Sequence, residues 1–457
     1  MHLMRRGTLD VTQGVIWKQL LAFFIPLWCG TFFQQLYNTV DTVVVGRFVG
    51  KTALAAVGST GTVVNLTVGI FNGLASGAVV IIAQYYGARL AKDVHRSVHT
   101  AMAISVLAGA LFTVGGFFLT PPVLRAMGTT AEALPGATLY LQIYFLGMIP
   151  NLVYNMGTGV LRAIGDSSRP LYFLIAASLC NIVLDLVLVL GLDMGVAGVA
   201  IATVASQVLS AALVLLSLTR ADGQPYQLFL RQLRIDRRAL VATLRVGVPA
   251  AMQSVMYNVS NIVIQSSINS FGTDTVAAWS AYGKMDMIFW MSINTMGLTI
   301  TTFAGQNYGA GKIDRLKKGV RVCVGMSAGF TAALSATMVL LARPLLSIFT
   351  PDPEVLVIGV DMVYFLVPTY ITYILVEILA GAIRGTGEAV VPMIISIFGV
   401  CVLRLVWLFT AVPLHHTVAM VAASYPITWV VTSAALLIYY CRGRWLRLPQ
   451  AAEQEGR

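Results

Sequence analysis

Charge is scarce in this chain. Asp, Glu, Lys and Arg together make up 11% of its 457 residues, against 57% apolar residues and a mean hydropathy of +0.80. Soluble domains average about 25% charged residues, so the polar shell that water demands is missing and an ordinary soluble globular protein is excluded. Cysteine is sparse as well. Cys29, Cys180, Cys323, Cys401 and Cys441 are scattered without a CxxC pair, and four of them fall inside apolar runs. That excludes a disulfide framework and a zinc site alike. His95 and His99 stand four apart, but among basic neighbours at a helix end they do not read as a metal site. No GxxxxGK[ST] loop occurs, which argues against direct ATP hydrolysis by this chain.

Apolar runs of membrane-spanning length are abundant instead. Twelve can be marked, at 15–42, 53–82, 97–119, 137–159, 169–190, 196–218, 240–268, 275–305, 320–341, 357–382, 390–411 and 417–440. All read as helices, because an isolated strand cannot satisfy its backbone in lipid. The first is not expected to be a cleaved signal peptide: Arg5, Arg6 and Lys18 precede a long run that contains Asp41, and no small-residue cleavage pattern follows. Of the 30 Lys and Arg residues, 24 sort to the side that holds both termini, and only Arg47, Lys51, Arg125 and Arg343 sort to the other. This asymmetry predicts cytoplasmic termini. The net charge of +11 therefore reads as topology and lipid contact, and no nucleic-acid partner is expected.

Shifted by 222 residues, the chain matches itself. AQYYGA at Ala83 to Ala88 falls on GQNYGA at Gly305 to Ala310. Arg162, Gly165 and Pro170 fall on Arg384, Gly387 and Pro392, and Val196 and Ala197 fall on Val418 and Ala419. Each half holds six spans, an even number, so the halves form a parallel repeat about an axis along the membrane normal. The predicted fold is an all-α membrane protein of two six-helix lobes: residues 1–219, a basic linker at 220–238, and residues 239–457. Such a duplication suits alternating access to a central site, with energy drawn from an ion gradient or a partner.

Ionisable groups deep in the spans are few: Asp41, Asp185, Lys284, Asp286, Glu377 and Arg404. Each costs roughly 2.5–3.5 kcal/mol at mid-helix on the insertion scale, so each needs a partner, water or a function. Asp41 shares a helical face with Gln34, Tyr37 and Asn38, and Asp185 lies one turn after Asn181. With the Thr203 hydroxyl these carboxylates make an oxygen-rich pocket for Na⁺ or H⁺; the alternative is that each Asp only ties two helices together. In the second half Asn258, Asn261, Lys284, Asp286 and Glu377 are candidate cavity residues, as is Asn155, which the repeat aligns with Glu377. Glu377 is also a candidate counter-charge for Lys284 or Arg404. Gly69, Gly73 and Gly77 form a stripe that reads as close helix packing.

Taken together, Pro26 with the Gln34 to Asp41 segment, the paired AQYYGA and GQNYGA motifs, LRAIGDSSRP and IRGTGEAVVP, and NIVLD resemble the multidrug and toxic compound extrusion (MATE) transporters. The resemblance covers nearly the whole chain. It implies a bacterial secondary antiporter of the cell membrane that exports organic cations against Na⁺ or H⁺, with no enzymatic activity and no cofactor, working as a monomer among membrane lipids. It also implies a cation site at Asp41, Asn181, Asp185 and Thr203. A second family branch keeps acids in the seventh and tenth spans; here the seventh has none, which favours the N-lobe site. The alternative function is a lipid-linked oligosaccharide flippase of the same superfamily, but four intramembrane acids against two bases lean toward cationic cargo.

Overall fold

The computed structural model describes residues 10–446; Arg5, Arg6, Arg447 and Arg457, counted above for topology, lie outside the described residues. Among the described residues every regular element is a helix. Eleven are long and apolar enough to cross a membrane: Ile16–Val49, Ala55–Gly87, Ala91–Ala126, Ser168–Gly191, Gly195–Thr219, Arg237–Asn269, Thr273–Gly309, Ile313–Leu340, Pro353–Gly385, Val390–Leu414 and Val418–Cys441. The bent pair Leu134–Leu146 and Met148–Ala163 supplies a twelfth, the fourth in chain order. Its 51° bend falls at Gly147, three residues before Pro150, whose missing N–H leaves one helical bond unmade. The tenth span breaks at the corresponding place, where a 3₁₀ turn at Val367–Thr372 contains Pro368.

Contacts divide the chain into two compact units. The first holds Ile25–Gly247; the second holds Val11–Phe24 and the chain from Val248 on. Within the first, Val98, Met102, Met156, Val160, Leu161 and Val214 bury their side chains in one apolar cluster. The glycine stripe of the second span contributes a close approach there. A Cβ on Gly77 would stand 2.2 Å from the Thr243 carbonyl oxygen and 2.7 Å from the Gly247 nitrogen, so only hydrogen fits. The basic stretch after the sixth span folds back onto this unit. The Phe229 N–H donates to His99 Nε2 (3.1 Å) and the Asp236 N–H to Thr100 Oγ1 (3.0 Å). His99 Nδ1 bonds the His95 carbonyl at 2.8 Å, so both ring nitrogens are engaged in holding the chain. In the second unit Arg315 gathers the Gln13 and Gly14 carbonyls, both at 2.8 Å, and fixes the segment that leads into the first span.

Among the described residues, three π-helical turns modulate the repeat. A π turn fits one extra residue into a helix and rotates everything after it onto a new face. In the first unit they follow Asp41 and Asp185, at Val45–Val49 and Leu186–Gly191; in the second, one precedes Arg404, at Ile397–Val402. Between the turns of the fifth and eleventh spans the correspondence is therefore one residue longer than 222. Burial shows the same phase: Ser178, Asn181 and Asp185 are buried in one unit, and Cys401, Arg404 and Leu408 in the other.

Candidate functional site

The first unit brings together the acids of two separate spans. Asp41 lies on the helix Ile16–Val44, one turn before its π segment, and Asp185 closes the helix Ser168–Asp185 where the next π segment begins. Each π turn widens the helix beside a carboxylate, a placement frequent at functional sites. The two carboxylates face each other closely enough to interact directly. Such a contact joins two acceptors and becomes a hydrogen bond only when one oxygen carries a proton.

Burial sharpens the point. Asn181 and Asp185 are 0% exposed. Asp41 Oδ1, both Asp185 oxygens and both polar atoms of the Asn181 amide are buried without a hydrogen-bond partner. Buried polar groups are nearly always paired, and an unpaired one costs on the order of 1–3 kcal/mol. Five such atoms in one cluster, four of them oxygens, match what a small hard cation or a shared proton would satisfy.

Thr203 is 8% exposed, and its hydroxyl donates to the Val199 carbonyl at 3.0 Å. Tyr140 of the fourth span lies beside Thr203 and within electrostatic reach of both carboxylates. Sequence reasoning missed it; the signal was Tyr140 and Tyr144, one turn apart and stacked with ring centroids 6.4 Å apart. Tyr37 sits beside Asp41 with Gln34 at its hydroxyl. Asn38 is not drawn in: it is exposed and donates to Gln35 at 3.3 Å. Asn155, in the same unit, bonds the Asn151 side chain at 2.6 Å.

The candidate residues of the second half separate. Asn261 and Asp286 line a cavity of about 440 Å³ within the second unit, together with Arg404 and a wall of Tyr and Trp rings. Asn258 turns back to its own helix and donates to the Ser254 carbonyl at 2.8 Å, so it is not among the lining residues. Lys284 is exposed, two residues from Asp286 and therefore on a different face. Glu377 neutralises neither Lys284 nor Arg404: the two ion pairs among the described residues are Arg96–Asp93 and Arg169–Asp166. Its carboxylate packs instead on Gly297, where a Cβ would come within 2.3 Å of Oε1, and accepts from the Tyr373 hydroxyl at 3.5 Å. Spacing alone could not show that Gly297 opens a slot for it.

Comparison with known proteins places the chain in a family. The MatE family model matches twice, at residues 26–187 and 249–410, each match opening on a proline, Pro26 and Pro249. Among curated proteins, the chain is 29% identical over 435 residues to the probable multidrug resistance protein YoeA of Bacillus subtilis (strain 168), covering 93% of each chain. It is 24% identical over 445 residues to the probable multidrug resistance protein NorM of Thermotoga maritima, covering 94% of this chain and 93% of that protein. Among solved structures, a MOP superfamily transporter from Pyrococcus furiosus shares the fold with a TM-score of 0.88 at 24% identity, over 95% of this chain and 97% of that one. The chain is a multi-pass membrane protein that belongs to the MatE family, the multidrug and toxic compound extrusion transporters.

Proposed function

We propose that this chain exports organic cations from the cell by antiport, driven by Na⁺ or H⁺ bound at Asp41, Asn181, Asp185 and Thr203. The observation that carries the reading is the cluster of buried, unpartnered oxygens on Asp41, Asn181 and Asp185. A cation or a proton supplies what those atoms lack, and either one neutralises the same pair of carboxylates. Two ionised carboxylates around one Na⁺ leave a net charge of −1, which Asn181, Thr203 and Tyr140 can solvate. The Lys and Arg distribution supports cytoplasmic termini in the cell membrane, so an inward ion gradient would drive cargo outward. The names of the YoeA and NorM relatives support a small-molecule cargo, and the flippase alternative is not favoured. We read the protein as a monomer without enzymatic activity.

The test is export of ethidium by purified protein in liposomes, under Na⁺ and H⁺ gradients imposed separately. Wild type should export under at least one gradient. Asp41→Asn and Asp185→Asn should each lose ion-driven export by at least about tenfold while inserting and melting as wild type does. Wild-type export by both variants would refute the site.

A further inference from the structure

A second cavity, of about 370 Å³, opens at the N-terminal end of the third span, and the function proposed above makes no use of it. Arg96 joins its lining from the helix Ala91–Ala126, while Arg231, Leu233, Arg234 and Asp236 come from the basic stretch after the sixth span. All of them belong to the first unit. That stretch is not a slack tether. The bonds from the Phe229 and Asp236 N–H groups to His99 and Thr100 pin both ends of it, and the 3₁₀ turn Leu230–Gln232 lies between the pins. The backbone that carries Arg231 and Arg234 is therefore ordered before any ligand arrives, which removes part of the cost of binding one.

The charges in the cavity do not cancel. Among the described residues neither Arg231 nor Arg234 belongs to an ion pair, and Arg96 meets only Asp93, at 3.8 Å, with both side chains nearly half exposed. A pair that long and that exposed holds its partners weakly. The one carboxylate in the lining, Asp236, is already engaged: its Oδ1 accepts from the Arg238 and Ala239 N–H groups. His99 adds no charge, because its Nε2 accepts from the Phe229 N–H and its Nδ1 faces the His95 carbonyl. Three guanidinium groups against one carboxylate leave the cavity positive whatever the state of His95. Their planar forks match the oxygens of a phosphate, which accepts from two donors side by side.

The surroundings of the cavity separate a lipid phosphate from a soluble one. Phe229, Leu230, Leu233 and Ile235 alternate with the arginines along the stretch, and each is at least 36% exposed. Water gives such a row of apolar side chains nothing, whereas acyl chains beside a bound headgroup would cover it. The cavity also sits where a membrane-length helix begins, at the level expected of headgroups.

We propose that this cavity holds the phosphate of an anionic phospholipid, gripped by Arg96, Arg231 and Arg234, with its acyl chains against Leu230, Leu233 and Ile235. The site is separate from the one at Asp41 and Asp185. It gives the basic stretch a specific ligand in place of diffuse attraction to the membrane.

The probes are phosphatidic acid and phosphatidylcholine with identical acyl chains, each added in detergent to the purified full chain. Native mass spectrometry reads the first binding event. Wild type should bind phosphatidic acid about tenfold more tightly than phosphatidylcholine. The double variant Arg231→Gln with Arg234→Gln should bring the two affinities together. Lys317→Gln with Lys318→Gln removes the same charge from exposed positions in the second unit and should keep the preference. Each ratio is internal to one preparation, so partial loss of folded protein does not move it. Glycerol 3-phosphate in large excess, which offers the same phosphate without acyl chains, should leave lipid binding unchanged. Its displacing the lipid would assign the cavity to a soluble phosphate and overturn the lipid reading. Equal affinities in wild type, a preference that survives loss of both arginines, or the same fall in both double variants would overturn the site. The assay contains no ion gradient, so its outcome is independent of the proposed antiport.

Discussion

Asp41 and Asp185 present their carboxylates to each other from two spans that are far apart in the chain, and each is followed within a turn by a π-helical segment. Both belong to the first unit, which is closely packed at Gly77. Its Cα faces the Thr243 carbonyl so closely that a methyl group would meet oxygen at 2.2 Å. Gly77→Ala should therefore destabilise the protein by about 1–3 kcal/mol through overpacking. A lowered melting midpoint in detergent checks this, and an unchanged midpoint would mean that the second and seventh spans are free to separate.

Glu377 calls for a different expectation. Its carboxylate fills the slot above Gly297 and meets Tyr373, which itself lines the aromatic cavity. Glu377→Gln should change the relative export of different cargos while leaving ion binding in the first unit intact. Equal loss for every cargo, accompanied by lost ion binding, would make it a coupling residue instead.

The basic stretch ahead of the seventh span is anchored by Asp236, whose Oδ1 accepts from the Arg238 and Ala239 N–H groups, both at 3.0 Å. Removing such a cap costs about 1 kcal/mol, and Asp236→Ala should show a loss of that order. The Ala239 N–H first, then the Arg238 N–H and the nearby arginines, hold this carboxyl below its ordinary value. The cap's contribution is thus complete at neutral pH and falls away only in acid, as pH drops through the lowered value. A difference between wild type and Asp236→Ala that is the same in acid as at neutral pH would contradict this.

Much of this was legible from residues alone, and for physical reasons. A span must be long and apolar, so the twelve segments declared themselves. A carboxylate in lipid is costly enough that Asp41 and Asp185 stood out, and the asparagine one turn from Asp185 joined them through helical spacing. What stayed hidden depended on local breaks in that spacing. A π turn leaves no residue signature, so the constant shift of 222 set Arg404 against Ile182 rather than against Asn181. Tyr140 was passed over because two tyrosines one turn apart in an apolar span are ordinary until one hydroxyl is found beside Thr203. Glu377 was assigned the wrong neighbours because charge alone suggests a counter-charge, whereas a glycine on the facing helix supplied space. Asn258 shares a face with Asn261 only if its amide points outward, and it bonds its own backbone instead.

The most direct test of the ion site is the affinity of purified protein for Na⁺ across a range of pH, in wild type, Asp41→Asn and Asp185→Asn. Na⁺ and H⁺ neutralise the same two carboxylates, so the wild-type affinity should weaken steadily with acid, and each variant should lose at least about tenfold in affinity together with most of the pH dependence. A Na⁺ affinity that ignores pH in wild type, or that both variants retain, would contradict a shared site at Asp41 and Asp185.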